Sequence, residues 1–140
     1  MNELLLGGEP LAGRRVTVLG LGLQGGGVEV VRALAAEHAL ITVSDRRDER
    51  ALAPSLAALR GLSVRYALGG HDPRDLVEAE VVVANPAIAP GSPELCLARE
   101  SGARVTSETE LFLENVRGRV ALVTGTQGKS TTCHVTHALL

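Results

Sequence analysis

Short runs of aliphatic and β-branched residues recur along the chain, each ending in glycine, proline or an Asp/Ser pair and followed by a stretch with helical spacing. Arg15 to Leu19 reads as a buried strand that breaks into glycines, after which Val28, Val31, Leu34 and Ala35 fall on one helical face. Leu40 to Val43 is a second strand ending at Ser44-Asp45, and Glu49 to Arg60 a helix whose Pro54 predicts a late start or a kink. Leu62 to Ala67 is a third strand. Asp72-Pro73 then has the form of an N-cap with proline in the first turn. Val81 to Ala84 is a fully apolar fourth strand, and Ser92-Pro93 opens a helix reaching about Ser101-Gly102. Arg104 to Thr106 is a short fifth strand. Ser107 and Glu110 form a capping-box pair for the next helix, and Val120 to Val123 reads as a sixth strand with a helix after the following loop.

Strand and helix alternate throughout, which predicts an α/β fold. The expected architecture is a Rossmann-like parallel five-stranded sheet with helices on both faces, followed by the first strand and glycine loop of a second unit. A boundary near Ser107 divides a nucleotide-binding unit over residues 1–106 from the opening of a second domain over 107–140.

Composition narrows the function classes. The 140 residues are 45% hydrophobic and 21% charged, enough apolar side chain for a real core, built mainly of Leu, Val and Ala because only Tyr66 and Phe112 are aromatic. A net charge of -2 and few aromatic rings leave no basic field or stacking platform for nucleic acid. Leu4 to Leu6 is too short for a membrane span or signal core, and Cys96 and Cys133 form no CxxC pair, so a cytoplasmic setting is expected.

Two glycine loops carry the chemistry. Gly20-Leu21-Gly22-Leu23-Gln24-Gly25 fits GxGxxG between a strand and a helix, where backbone amides and the helix N-terminus can receive a pyrophosphate. Asp45 ends the next strand, where such domains place a ribose-binding acid, and Arg46 and Arg47 beside it suit a phosphate, the 2′-phosphate of NADP, or a solvated turn. The glycines could instead serve only helix packing. The second loop, Gly125-Thr126-Gln127-Gly128-Lys129-Ser130-Thr131, is more specific although Val123 holds the place of the first Walker A glycine. Its amides would cradle phosphates, Lys129 would reach the terminal ones, and Ser130 would help hold Mg²⁺. A plain NAD(P)-binding module has no use for this second loop, whereas a ligase uses one loop for a substrate nucleotide and one for ATP.

Four motifs then stand in a recognisable order: Gly20 to Gly25, Asn85-Pro86-Ala87-Ile88-Ala89-Pro90, Ser107 to Phe112, and Gly125 to Thr131. Together they resemble the Mur ligase family, most closely its D-glutamate-adding branch, over nearly the whole chain from about Arg14. The shortened phosphate loop is shared with the folylpolyglutamate synthases. The resemblance implies a three-domain enzyme whose first domain holds the UDP of UDP-N-acetylmuramoyl-L-alanine, whose second binds ATP and whose third binds D-glutamate. It implies an acyl phosphate displaced by the amine, with Mg²⁺ assisting. By motif position, Leu23, Gln24, Gly25, Asp45, Arg46, Arg47, Asn85 and Ala87 would contact the UDP substrate. Gly125 to Thr131 would bind ATP, with Lys129 catalytic and Ser130 on the metal. Gln24, Arg46, Ala87 and Gln127 depart from the family's usual residues. The remaining metal carboxylate, a carbamylated lysine and the amino-acid domain would lie beyond Leu140. L-alanine- and diaminopimelate-adding relatives stay open as alternatives, and oligomeric state is not legible.

Overall fold

The computed structural model describes residues 4–139. A five-stranded parallel sheet forms from β3 (Arg15–Leu19), β4 (Leu40–Asp45), β5 (Val64–Leu68), β6 (Val81–Ala84) and β7 (Arg104–Ser107) in the order β5-β4-β3-β6-β7. Val16 lies beside Ile41 on one flank and Val81 on the other, and Ile41 beside Val64, so the expected parallel strands are neighbours. Ahead of them β1 (Leu5–Leu6) and β2 (Glu9–Pro10) make a small antiparallel hairpin.

Alternation along the strands sends side chains to two cores. Val16, Val18, Val81 and Val83 join Val28, Val31 and Leu34 of α1 (Gly26–Ala36) on one face, with Leu59 following α2 (Ala53–Ala58) and Leu111 of α5 (Glu108–Asn115). Leu19, Val82 and Ala84 meet Leu76 of α3 (Pro73–Val77) and Leu95 and Ala98 of α4 (Pro93–Glu100) on the other. Burying one such Leu or Val contributes about 1.5–3 kcal/mol, so the centre of the sheet is the most strongly held part of the fold.

Helix starts follow their caps. Asp72 accepts from Arg74 N, Ser92 from Leu95 N, and Ser107 and Glu110 complete the capping box. The helix expected from Glu49 begins only at Ala53, with Pro54 in its first turn, where the missing N–H is harmless. The third strand is displaced to Val64–Leu68 and the fifth extends to Ser107.

One expectation fails. No strand forms at Val120–Val123, and Leu122 is 76% exposed. A strand needs an edge to pair with and a face to cover; this run has neither among the described residues. The helix expected after the second glycine loop is α6 (Lys129–Leu139).

The N-terminal hairpin is an element beyond those the hydrophobic pattern predicts. Its partner is distant: Asn115 on α5 accepts from Leu5 N at 2.7 Å and donates to Leu5 O at 2.8 Å, and Glu114 accepts from Gly7 N at 2.6 Å. Helix α5 is thereby held to the N-terminal hairpin.

Candidate functional site

The chain reverses direction across the sheet between β3 and β6. After β3 it builds outward through β4 and β5, then crosses back to lay β6 on the other flank. At such a switch point the loops leaving the two strands part and open a crevice beyond their C-terminal ends. A cleft of about 990 Å³ lies there. Its lining includes Leu23, Gln24, Asp45, Arg46, Arg47, Asn85 and Ala87. Gly25, the remaining residue of that expected set, is the N-cap of α1 at φ 91°, a left-handed conformation that glycine adopts without strain.

The first glycine loop is fixed from several sides. Gly20 N donates to Ser44 O at 2.7 Å, Gly22 N to the Asp45 carboxylate at 3.2 Å, and Ser55 of α2 donates to Gly22 O at 2.9 Å. Gly27 lets α1 approach the loop, because a Cβ there would stand 2.3 Å from Leu21 O. The close-packing role thus falls on Gly27, beyond the GxGxxG stretch. No N-cap side chain covers α1, and its intrahelical bonding starts with Glu29 N to Gly25 O at 3.0 Å. The amides of the first turn therefore face the cleft mouth with the positive end of the helix dipole.

Asp45 is 3% exposed, and both its oxygens accept from backbone: Oδ2 from Gly22 N and Oδ1 from Arg47 N at 2.8 Å. Its carboxylate joins two cleft loops, which leaves it less free to take a ribose diol. Arg47 keeps its guanidinium half exposed, 3.8 Å from Asp45 Oδ1. Arg46 instead reaches across to Glu94 on α4 at 2.5 Å. Asn85 caps its own turn, accepting from Ala87 N at 2.9 Å while its backbone N–H bonds Leu19 O.

Three cleft residues were not singled out from sequence. His71 Nδ1 lies 2.7 Å from Ser44 Oγ; burial pushes the imidazole below its usual pKa, with Arg46 adding to this and Glu94 and Asp45 opposing it. The Arg46 hydrogen bond holds the Glu94 carboxyl below the usual range, and burial raises that of Glu108. Glu94 and Glu108 sit in the first turns of capped helices, a position that says "cap" before it says "site".

The second loop is not part of this cleft's lining. Gly128 takes φ 80°, Thr132 N bonds Gly128 O at 2.9 Å, and the Lys129 ammonium folds onto Gly125 O. Residues 124–131 are exposed. Loop amides, an ammonium and the Ser130 hydroxyl at the N-terminus of α6 have the donor chemistry a polyphosphate chain would require, and the hydroxyl could offer one oxygen to a metal.

The model for the Mur ligase MurD-like N-terminal domain matches residues 14–107. Among curated proteins, the UDP-N-acetylmuramoylalanine--D-glutamate ligase of Roseiflexus sp. (strain RS-1) is 45% identical over 130 residues, covering 93% of this chain and 28% of that protein. The enzyme of the same name from Anaeromyxobacter dehalogenans (strain 2CP-C) is 47% identical over 131 residues, again 93% and 28%. The chain therefore spans little more than a quarter of these relatives. Among solved structures, a pseudomurein peptide ligase type C from Methanothermus fervidus superposes with a TM-score of 0.52 at 23% identity, over 85% of this chain and 24% of that one, a likeness of fold.

Proposed function

The chain belongs to the Mur ligase family through its MurD-like N-terminal domain, and from that premise we propose that it is the front part of an ATP-dependent ligase joining D-glutamate to UDP-N-acetylmuramoyl-L-alanine in the cytoplasm, for peptidoglycan precursor synthesis. The observation that carries the proposal is the cleft at the switch point, where the glycine loop, the Asp45-Arg46-Arg47 turn and the Asn85-Pro86-Ala87 turn converge. Amides of the α1 first turn would hold the diphosphate. Arg47 offers a charge-assisted contact, and Leu23, 55% exposed at the cleft, offers apolar surface to the uridine. Gln24 and Ala87 complete the wall, and the pairing of Arg46 with Glu94 keeps the α4 side of the cleft in place.

Residues 107–140 open the ATP-binding domain in this reading, with α5 anchored to the first. ATP would supply the phosphoryl group that activates the substrate carboxylate, in an ADP-forming reaction. Gly125 to Thr131 would hold its phosphates through backbone amides, Lys129 would neutralise charge on them, and Ser130 would give an oxygen to Mg²⁺.

Calorimetric titration with UDP-N-acetylmuramoyl-L-alanine and with NAD tests the nucleotide reading. The UDP ligand should bind more tightly, and Arg47→Ala should weaken it by about 1.5–3 kcal/mol, the worth of a charge-assisted hydrogen bond. Tighter binding of NAD would replace this reading with a nicotinamide-cofactor domain.

A second test concerns turnover. The 140-residue chain should release no phosphate from ATP, because phosphoryl transfer requires charge neutralisation from several elements at once and Lys129 and Ser130 are only two of them. Hydrogen exchange at Val120 to Val123 should be fast, since these amides have no ladder. ATP hydrolysis abolished by Lys129→Ala, with protected amides at Val120 to Val123, would mean that the second domain's site is already complete.

A further inference from the structure

We propose that Glu108 sets the charge the cleft accepts, favouring a nucleoside diphosphate whose terminal phosphate is esterified to a sugar over one whose terminal phosphate is free. This rests on the nucleotide-sugar reading of the cleft and adds what selects within that class.

Glu108 opens α5, and its side chain crosses to the first turn of α1. Its Oε2 would stand 2.3 Å from a Cβ built on Gly26, so the carboxylate occupies space that only glycine leaves vacant. Gly26 is the first residue of α1, where the positive end of the helix faces the cleft and a diphosphate would be held. A carboxylate and a phosphate therefore share one neighbourhood.

The other charges of the cleft are already matched. Arg46 pairs with Glu94, Arg47 lies beside Asp45, whose oxygens also take two backbone amides, and the His71 ring is hydrogen-bonded to Ser44. Glu108 joins none of the ion pairs found among the described residues. Partial burial makes its ionised form costlier than usual, which a nearby anion reinforces.

Repulsion from such a carboxylate grows with each charge the ligand brings. A diphosphate esterified at both ends carries one negative charge per phosphate, whereas a free terminal phosphate carries nearly one more above neutral pH. The extra charge would fall at the end of the diphosphate, beside the α1 first turn. The helix dipole attracts both ligands; Glu108 penalises the free one more.

Titrations of the chain and of Glu108→Gln with UDP-N-acetylmuramoyl-L-alanine and with UDP, at about pH 8 without divalent cations, read this directly. The wild-type chain should prefer the sugar ester, and in Glu108→Gln that preference should fall on the order of tenfold, mainly through tighter UDP binding. Glu108→Asp, which keeps the charge, should retain most of the preference. Damage to the fold would weaken both ligands together, so the ratio isolates the charge; Glu108→Ala provides a second neutral variant should the glutamine form unfold. An unchanged ratio in the neutral variants, with wild-type binding intact, overturns the role of Glu108 and leaves the nucleotide-sugar reading standing. Failure of the wild-type chain to bind either ligand overturns both.

Discussion

Gly27→Ala should lower the unfolding free energy by about 3 kcal/mol, the upper part of the usual range for overpacking. The added methyl would stand 2.3 Å from Leu21 O and about 3 Å from two further backbone atoms of Leu21. None of these can rotate away as a side chain could. Either α1 shifts outward, pulling Val28, Val31 and Leu34 from the core, or the glycine loop moves and loses its bonds to Asp45 and Ser55. Alanine's helix propensity returns only about 1 kcal/mol. Gly26→Ala is the matching control, since its methyl meets the movable end of Glu108. Denaturant unfolding should place Gly26→Ala within about 1 kcal/mol of the parent. Equal losses at the two positions would show that the contact with Leu21 is not what requires glycine at 27.

The same contrast separates what the chain reveals in one dimension from what it does not. β6 is apolar at all four positions, Val81 to Ala84, and such a run belongs at the centre of a sheet covered on both faces; it lies between β3 and β7. The caps at Asp72, Ser92 and Ser107 are local, so three helix starts could be read from two or three neighbouring residues each. Val120 to Val123 has the same apolar pattern as β6 without its outcome, because a strand is completed by its neighbours. The hairpin at residues 5–10 depends on Asn115, 110 positions away, and no local pattern announces that bond. In the cleft, the glycine loop and the Asp45-Arg47 turn were legible as motifs. The pairing of Arg46 with Glu94, 48 positions apart, and the arrival of Glu108 at Gly26 follow from the crossover that returns the chain beside β3.

Asp45→Ala should both destabilise the fold by about 3 kcal/mol and weaken the UDP ligand, with the second effect arising through loop position. The buried carboxylate receives Gly22 N from the first glycine loop and Arg47 N from its own turn. Removing it leaves two N–H groups without their charged acceptor, and each such loss costs about 1–3 kcal/mol where water cannot replace it. The Gly22 loop and the end of β4 would then be joined through Gly20 N to Ser44 O, while Ser55 to Gly22 O and Gly69 N to Arg47 O hold the loop and the turn each to another element. A diphosphate held by the α1 first turn and by Arg47 needs both at fixed separation, so ordering them on binding consumes affinity. Asp45→Asn discriminates between positioning and direct contact. Its amide oxygen can still accept from Gly22 or Arg47 but not serve both as a carboxylate does, so stability should recover in part and affinity with it. Paired unfolding and calorimetric titrations of the two variants would settle the mechanism. Affinity that stays low in Asp45→Asn after stability has recovered would assign Asp45 a direct bond to the ligand; recovery of both in proportion would assign it the positioning of Gly22 and Arg47.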